Sequence, residues 1–262
     1  MKVKELIGKV RRIHYKRWVY TIVFTFLGLS LVSVVTLRFI PVPVTPLMVI
    51  RSVEQLKDKE RDFRWEKDWV SLDHISKNAV KAVLASEDQA FFDHNGFDFV
   101  AIEKAIAHNK VSTKKIGAST ISQQTAKNVF LWQGRNWVRK GLEAYFTVLI
   151  ELVWPKERIL EAYLNVIEFG DGIYGIEAAS KHYFHKSASE LNKKEAAMLA
   201  AVLPNPLKYK VNAPSDYLSK RCRRIMNQMN TIDYIQSQTH LQNKMPFEAF
   251  GKLHHIIVRV LY

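Results

Sequence analysis

The amino-acid sequence predicts a mostly α-helical protein in which a single N-terminal transmembrane helix precedes one globular domain. Three observations support this prediction. An uncharged run near the N-terminus is long enough to cross a membrane. Beyond it, roughly from Leu72 to Asn230, apolar residues recur at helical spacing behind the predicted caps Asp98, Asn136 and Asn192. The alternation typical of strands is scarce in the same region.

The predicted membrane anchor comprises the twenty uncharged residues Trp18–Leu37, bounded by Arg17 and Arg38. A helix of this length spans about 30 Å, which matches the hydrocarbon core of a bilayer. A cleaved signal peptide is the alternative, but it usually has a shorter apolar core and a small-residue cleavage site. The Pro-rich stretch Pro41–Pro46 follows instead, which predicts an uncleaved anchor and a stiff linker.

The charges around this run predict its orientation. Seven Lys and Arg side chains precede it, whereas mainly Arg38 follows. Because positive loops stay in the cytoplasm, the N-terminus is expected there and the domain outside. The predicted organisation is a basic cytoplasmic tail at 1–17, the anchor at 18–38, a linker at 39–64, a globular domain at 65–230 and a tail of unassigned role at 231–262.

Length and composition limit the classes of function. The 262 residues leave room for one sizeable domain and an anchor, but not for two full enzyme domains. A net charge of +14 predicts an anionic partner, such as lipid headgroups, a phosphate-bearing substrate or nucleic acid. Nucleic acid is disfavoured because no helix-turn-helix, RNP or zinc-finger signature is present. Cys222 is the only cysteine, so no internal disulfide and no cysteine-based zinc site are expected. The sequence also has no H-E-x-x-H arrangement, so no dedicated metal site is predicted.

The first candidate cluster is the segment Ser86–Asp98, with the sequence SEDQAFFDHNGFD. An apolar helix ends here in two adjacent acids, Glu87 and Asp88, and aromatic residues and a glycine turn follow. A carboxylate beside aromatic side chains suits proton transfer. The alternative is structural: the two acids cap neighbouring backbone or pair with lysines.

The second cluster is the polar segment Gly117–Asn128. On a helix, Thr120, Gln124 and Lys127 share one face, since they are separated by four and three positions. Amide and hydroxyl groups beside a lysine suit a sugar and a phosphate, and unpaired N–H groups at the helix start attract anions. An ordinary solvated polar face is the alternative.

The third cluster places one carboxylate among cations on the next predicted helix. Arg139 and Lys140 precede Glu143 by four and three positions, and Arg135 lies one turn further back. Because cations surround it, this carboxylate is expected to stay ionised. In that form it would orient the cations or bind a metal. The alternative is a set of surface ion pairs, each worth only a few tenths of a kcal/mol, roughly.

In this order and behind an anchor, the three clusters resemble the motifs of the peptidoglycan glycosyltransferases of family 51. The motif E-D-x-x-F-x-x-H-x-G is matched by Glu87, Asp88, Phe91, His94 and Gly96. The motif G-x-S-T-I-x-Q-Q-x-x-K-N is matched by Gly117, Ser119, Thr120, Ile121, Gln123, Gln124, Lys127 and Asn128. The motif R-K-x-x-E, followed by I-L-x-x-Y-L-N, is matched by Arg139, Lys140, Glu143 and residues 159–165. The resemblance covers about residues 65–230.

The resemblance implies a bilobal domain whose larger lobe is lysozyme-like. The implied substrates are lipid II and the growing lipid-linked glycan, which the enzyme joins into β-1,4-linked strands with release of undecaprenyl diphosphate. Glu87 would be the general base, and Glu143 would be the second catalytic carboxylate. The implied substrate-binding residues are Asp88, Ser119, Thr120, Gln123, Gln124, Lys127, Asn128, Arg135, Arg139 and Lys140.

The resemblance also bears on cofactors, location and partners. No cofactor is required by it, although a divalent cation, Mg or Mn, could bridge the diphosphate. The implied location is the inner membrane with a periplasmic catalytic domain, and cell-wall synthesis or division proteins are further candidate partners. No transpeptidase domain is expected in a chain of this length. The alternative function is a lysozyme-like lytic enzyme that cleaves finished peptidoglycan.

Overall fold

The computed structural model describes residues 2–58, 60, 62–113, 115–134 and 136–232, with side chains from residue 16 onward. Most of these residues are helical, which confirms the predicted mostly α fold. The chain divides into two compact units, Met1–Ile40 and Pro41–Tyr262. In chain order, the helices are α1 (Lys2–Phe39), α2 (Pro46–Lys57), α3 (Lys77–Glu87), α4 (Phe99–Val111), α5 (Ile121–Phe130), α6 (Trp137–Val153), α7 (Lys156–Val166), α8 (Ile176–Phe184), α9 (Lys193–Val202) and α10 (Asp216–Gln228).

Helix α1 forms the first unit and contains the predicted anchor. Its segment Lys16–Phe39 is long and apolar enough to cross a membrane. The helix also continues backwards through most of the predicted basic tail, since it begins at Lys2. The predicted membrane-spanning helix is therefore present, within a longer helix than the uncharged run alone indicates.

The second unit begins with helix α2, which lies inside the stretch predicted to be a linker. The side-chain oxygen of Thr45 accepts a hydrogen bond from the Met48 N–H at 3.4 Å, and Pro46 occupies the first turn. A Thr cap followed by Pro is a recognised helix start. Helix α2 packs against α5, so this stretch belongs to the domain.

Two groups of helices make up the body of the domain. Helices α3, α9 and α10 pack together, and α5, α6 and α7 form the other group. The core contains large side chains with almost no solvent exposure, including Phe91, Ile121, Ile150 and Leu160. The predicted caps Asp98, Asn136 and Asn192 are present, and each accepts a backbone N–H three residues further on.

The start of α5 differs from the prediction. The N-cap is Thr120, and the first helical residue is Ile121, so Thr120 does not share a helical face with Gln124 and Lys127. Thr120 instead forms a capping box with Gln123, in which each side chain accepts the other residue's backbone N–H. A cap residue turns its side chain towards the helix end, which removes it from the surface that the helical spacing predicted.

A small sheet was not predicted from the sequence. Strands β1 (Glu66–Lys67), β2 (Glu168–Gly170) and β3 (Ile173–Tyr174) have the order β1-β3-β2. Strand β1 pairs with β3 in parallel, and β2 pairs with β3 in antiparallel orientation. Strands of two or three residues are too short to show an alternating pattern. The sheet holds the β2–β3 hairpin beside the start of the domain.

The turn between β2 and β3 requires glycine at position 172. Gly172 has a φ of 71°, and a Cβ added there would lie 2.2 Å from the Arg64 carbonyl oxygen. We expect Gly172→Ala to lower the free energy of unfolding by about 2–4 kcal/mol, because it combines left-handed strain with a backbone clash. Denaturant unfolding of the detergent-solubilised full chain measures this change.

Gly141→Ala is the matched control. Gly141 lies within α6, and an added Cβ would meet no atom within 4 Å. The free energy of unfolding of this variant should rise by roughly 0.5–1 kcal/mol, because alanine is more stable than glycine in a helix interior. Equal effects of both substitutions would contradict the proposed packing of the hairpin.

Candidate active site

Glu87 ends helix α3 with a carboxylate that is held at both oxygens. Oε1 accepts from the Ser86 hydroxyl at 2.9 Å and from Arg221 Nη2 at 3.4 Å. Oε2 accepts from Gln124 Nε2 at 3.1 Å. The side chain is 14% exposed, so solvent or a ligand can still approach it. These donors orient the carboxylate and leave acceptor capacity for one more proton-bearing group.

Behind Glu87, two further side chains determine where its donors lie. Arg221 on α10 also donates from Nη2 to Ser86 Oγ at 2.8 Å and from Nε to the Ala201 carbonyl at 3.2 Å. On the other side, the Tyr163 hydroxyl donates to Gln124 Oε1 at 3.2 Å, which fixes the orientation of the amide. Burial raises the pKa of Tyr163 well above 10, and the nearby carboxylates add to this, so the phenol remains a donor.

Asp88 has a supporting position. Its side chain is only 2% exposed. Oδ2 accepts the Ile121 N–H at 3.0 Å, and both oxygens lie within 3.1 Å of His94 Nε2. Since the Gly96 N–H donates to His94 Nδ1, the proton of the neutral ring is on Nε2 and points at Asp88. The structure thus places Asp88 beneath the site, without access for a sugar.

The polar segment Gly117–Asn128, which was predicted to bind substrate, contains both buried and accessible side chains. Thr120 is 2% exposed and donates to the Gly96 carbonyl at 2.7 Å, and Gln123 is 5% exposed within the capping box. Ser119 is exposed just before the helix. Gln124 and Lys127 line a cavity one turn further along α5.

Lys127 brings two of the predicted clusters together. Burial is the largest effect on this ammonium group and lowers its pKa. The charge of Glu143 opposes this shift, as does that of Glu87, whereas Arg139 and Lys140 reinforce it. One cation is therefore close enough to sense both predicted catalytic carboxylates. An anion bound beside it would restore the affinity of the amine for its proton.

Glu143 is buried among cations, as the helical spacing predicted. It is 3% exposed, and Arg139 Nη1 donates to Oε2 at 2.7 Å while Lys140 Nζ donates to Oε1. The Nε–H of Arg139 is buried and has no hydrogen-bond partner among the described residues. Such a donor costs free energy unless a ligand or water satisfies it. Arg135, the remaining cation of this cluster, lies outside the described residues.

A cavity of about 200 Å³ lies next to these groups. The residues that line it come from α2, from α5 and the loop after it, from α7 and the residue after it, from strand β2 and from the loop after α9. They are Leu47, Arg51, Gln124, Lys127, Asn128, Gln133, Tyr163, Ile167, Glu168, Leu203, Pro204 and Pro206. The lining includes charged, amide and phenol side chains, and the two prolines contribute apolar surface. Glu87 is one hydrogen bond away, through Gln124.

Four further side chains contribute to the candidate site, although none was predicted as a site residue. Ser86 opens the first candidate cluster, and Tyr163 is the tyrosine of the I-L-x-x-Y-L-N stretch, so both lie in segments that the sequence marks. Arg221 and Arg51 lie outside the matched motifs, and each contacts a carboxylate more than 100 residues away. An isolated Arg on an amphipathic helix has no local signal that distinguishes it from its neighbours.

Among the described residues, no group of three or more His, Cys, Asp or Glu side chains could hold a divalent metal. Glu143 is the predicted alternative ligand, and both of its oxygens accept hydrogen bonds from cations. A divalent cation at this carboxylate would have to displace those partners and would face their charge.

Glu168 gives the stability of the domain a predicted pH dependence. Burial raises its pKa from the ordinary 4.5 to about 7, although Arg51 attracts the ionised form. The folded state therefore binds this proton more tightly than the unfolded state. This difference contributes up to about 3 kcal/mol to the free energy of unfolding. The contribution is fully present below about pH 4.5 and is lost as pH rises through about 7.

Unfolding of the wild type and of Glu168→Gln by denaturant across pH 5–8 measures this effect. The variant cannot titrate, so its advantage over the wild type should grow between pH 5 and pH 8. Glu54→Gln removes the more exposed carboxylate partner of Arg51 and is the matched control. Parallel pH profiles for Glu168→Gln and the wild type would contradict the assignment.

Comparison with known proteins identifies the family of this chain. A family model described as Transglycosylase matches residues 53–230. A biosynthetic peptidoglycan transglycosylase of Bdellovibrio bacteriovorus is 57% identical over 214 residues, which are 82% of this chain and 85% of that protein. Proteins of the same description from Bacteroides thetaiotaomicron and Haemophilus influenzae are each 51% identical, over 82% and 83% of this chain and 87% and 88% of their own lengths. The chain belongs to the transglycosylase family.

Proposed function

We propose that this protein is a peptidoglycan glycosyltransferase that polymerises lipid II into β-1,4-linked glycan. One observation carries the proposal: Gln124 donates to the Glu87 carboxylate at 3.1 Å and lines the same cavity as Lys127. Lys127 also interacts with the charges of Arg139, Lys140 and Glu143. A carboxylate that can take a proton is thus combined with cations that can hold a diphosphate. The proposed catalytic domain comprises residues 65–230, with α2 contributing to its cavity.

In the proposed reaction, Glu87 acts as the general base. The acceptor's 4-hydroxyl transfers its proton to the carboxylate while its oxygen bonds to the anomeric carbon of the donor sugar. The bond between that carbon and the diphosphate oxygen breaks, and undecaprenyl diphosphate leaves with the bonding pair. Attack from the opposite face inverts the carbon to the β configuration. Ser86, Arg221 and Gln124 keep the carboxylate oriented for this transfer.

The leaving group needs positive charge rather than a strong acid. We assign that role to Lys127, Arg135, Arg139 and Lys140. The unsatisfied Nε–H of Arg139 is a donor suited to a phosphate oxygen. Glu143 would position Arg139 and Lys140 rather than donate a proton, because both of its oxygens accept hydrogen bonds from them.

The anchor supports the same proposal. Both substrates carry lipid chains, so an enzyme tethered by α1 shares a thin layer with them and meets them at a raised effective concentration. We propose an inner-membrane location with a cytoplasmic N-terminus and a periplasmic domain, on the basis of the charges that flank the run. Cell-wall synthesis or division proteins are candidate partners, because an enzyme that polymerises lipid II would work beside them.

A lytic enzyme is the competing function, since lysozyme-like sites also use a glutamate. A hydrolase of neutral glycan has no diphosphate to hold, and the cations beside Glu87 would then have no ligand. The deciding test is incubation of the purified protein with lipid II, followed by gel separation of the products. Glycan ladders are expected. Degradation of mature glycan without any ladder would exclude polymerisation.

Glu87→Gln tests the proposed base. The amide keeps the shape of the side chain but cannot take the proton, so polymerisation should fall by at least about 10³-fold. Thermal unfolding and membrane association should be unchanged. The exposed Glu60→Gln serves as the control and should retain wild-type turnover. Substantial residual activity of the Glu87 variant would place the base elsewhere.

Glu143→Gln tests the proposed positioning role. Arg139 and Lys140 would lose the carboxylate that orients them, and turnover should fall by about 10–100-fold, less than for Glu87→Gln. The pH profile separates the two roles. A positioning residue should leave the acidic and basic limbs of kcat against pH in place, whereas loss of one limb would indicate direct proton transfer.

A further inference from the structure

The cavity beside Gln124 and Lys127 contains one cation that comes from outside the family match. Arg51 lies on α2, two residues before the match begins at residue 53. Its Nε–H contacts both oxygens of Glu168 at 3.2 and 3.3 Å, and Nη1 donates to Glu54 Oε2 at 2.6 Å. The side chain is 21% exposed, so the guanidinium is accessible from the cavity.

The Glu168 carboxylate pairs with Arg51 although it is buried, and burial disfavours its ionised form. Its side chain is 5% exposed. The charged and titratable groups that face it are Arg51 and Glu54 on α2, Asp171 in the β2–β3 turn and Tyr174 on β3. Only one of these groups is a cation. Burial raises the pKa of Glu168 to about 7, and the two acids add to the effect of burial.

We propose that Arg51 is a further substrate-binding residue, which exchanges Glu168 for the diphosphate of a lipid-linked sugar seated in this cavity. The proposal rests on the proposed function, since it assumes a diphosphate-bearing substrate. It assigns Glu168 as the partner that holds the guanidinium in place between substrates. Glu54 keeps Nη1 in both states, so the side chain need not leave the cavity wall.

Charge in the cavity favours this exchange. Two cations, Arg51 and Lys127, and one carboxylate, Glu168, line it, so its formal charge is +1 and becomes +2 when Glu168 is protonated. A diphosphate placed here repels the buried carboxylate and promotes uptake of a proton from solvent. The planar guanidinium matches phosphate oxygens as well as it matches a carboxylate, so one charge-assisted pair replaces another.

A purely structural ion pair makes a different prediction. If Arg51 and Glu168 only attach α2 to the hairpin, removing either partner should have the same effect on activity. The proposal requires effects of opposite sign, because Arg51 binds the substrate whereas Glu168 competes with the substrate for Arg51. The variants Arg51→Gln, Glu168→Gln and the double variant form a cycle that separates the two interpretations.

The measurement is the steady-state polymerisation of lipid II in detergent micelles at pH 6 and pH 8. Arg51→Gln should raise KM about 10-fold with kcat changed less than about 2-fold, since it removes a charge-assisted hydrogen bond made throughout the reaction. Glu168→Gln should lower KM by about 2–5-fold at pH 8 and by less at pH 6, where the wild-type carboxyl is already protonated. The double variant should match Arg51→Gln, and Arg51→Lys should be intermediate.

Arg158→Gln is the matched control. Arg158 also pairs with a carboxylate, Glu161, but it is not among the residues that line the cavity. Its removal should leave KM unchanged. Thermal unfolding of every variant at both pH values identifies any change in KM that reflects partial unfolding alone.

The outcomes separate the two proposals. If the wild type forms glycan but Arg51→Gln keeps the wild-type KM, or both single variants raise KM, Arg51 is not a substrate-binding residue and the proposed function stands. If the wild type forms no glycan, the proposed function fails. Calorimetric titration with inorganic pyrophosphate then tests the cavity directly: weaker binding by Arg51→Gln supports the anion site, and equal binding overturns it.

Discussion

The buried carboxylate of Asp88 is the constraint on which the site depends. It accepts the Ile121 N–H at the start of α5 and the Nε2–H of His94, so the end of α3 is attached to the start of α5. A buried charge that lost these donors would cost several kcal/mol, by rough estimate. Because Glu87 directly precedes Asp88, the same attachment brings its carboxylate to Gln124, one turn into α5. The helix group that carries Glu87 is thus aligned with the group that carries the cations.

The two candidate catalytic carboxylates differ in their partners, and this difference separates their roles. Oε1 of Glu87 accepts from the neutral Ser86 hydroxyl and from the Arg221 guanidinium at 3.4 Å, and Oε2 accepts from the neutral Gln124 amide. The side chain also keeps some exposure. Glu143 is enclosed and bonded to two cations. The first arrangement suits transfer of a proton, and the second suits the orientation of charges towards a diphosphate. Lys127 connects the two, since it senses both carboxylates.

Two ion pairs in this domain hold cations near places where an anionic group can bind. Arg51 contacts the buried Glu168, and Lys140 contacts the buried Glu143. In each case the carboxylate is nearly inaccessible while the cation reaches a surface or a cavity. Such pairs add little net stability, because desolvation offsets much of the attraction. They keep long, flexible cationic side chains near positions where an anionic group can bind, which lowers the entropy lost on binding.

Sequence alone determined the features that depend on near neighbours. The apolar run, the caps Asp98, Asn136 and Asn192, and the spacing of Arg139, Lys140 and Glu143 on one helix all follow from local periodicity. It also marked Glu87 through motif resemblance, but it could not separate the accessible Glu87 from the buried Asp88. Only the tertiary structure decided that, and it also brought Tyr163, Arg221 and Arg51 to the site. These contacts join residues far apart in the chain, so they arise from the packing of whole helices, which no local pattern encodes.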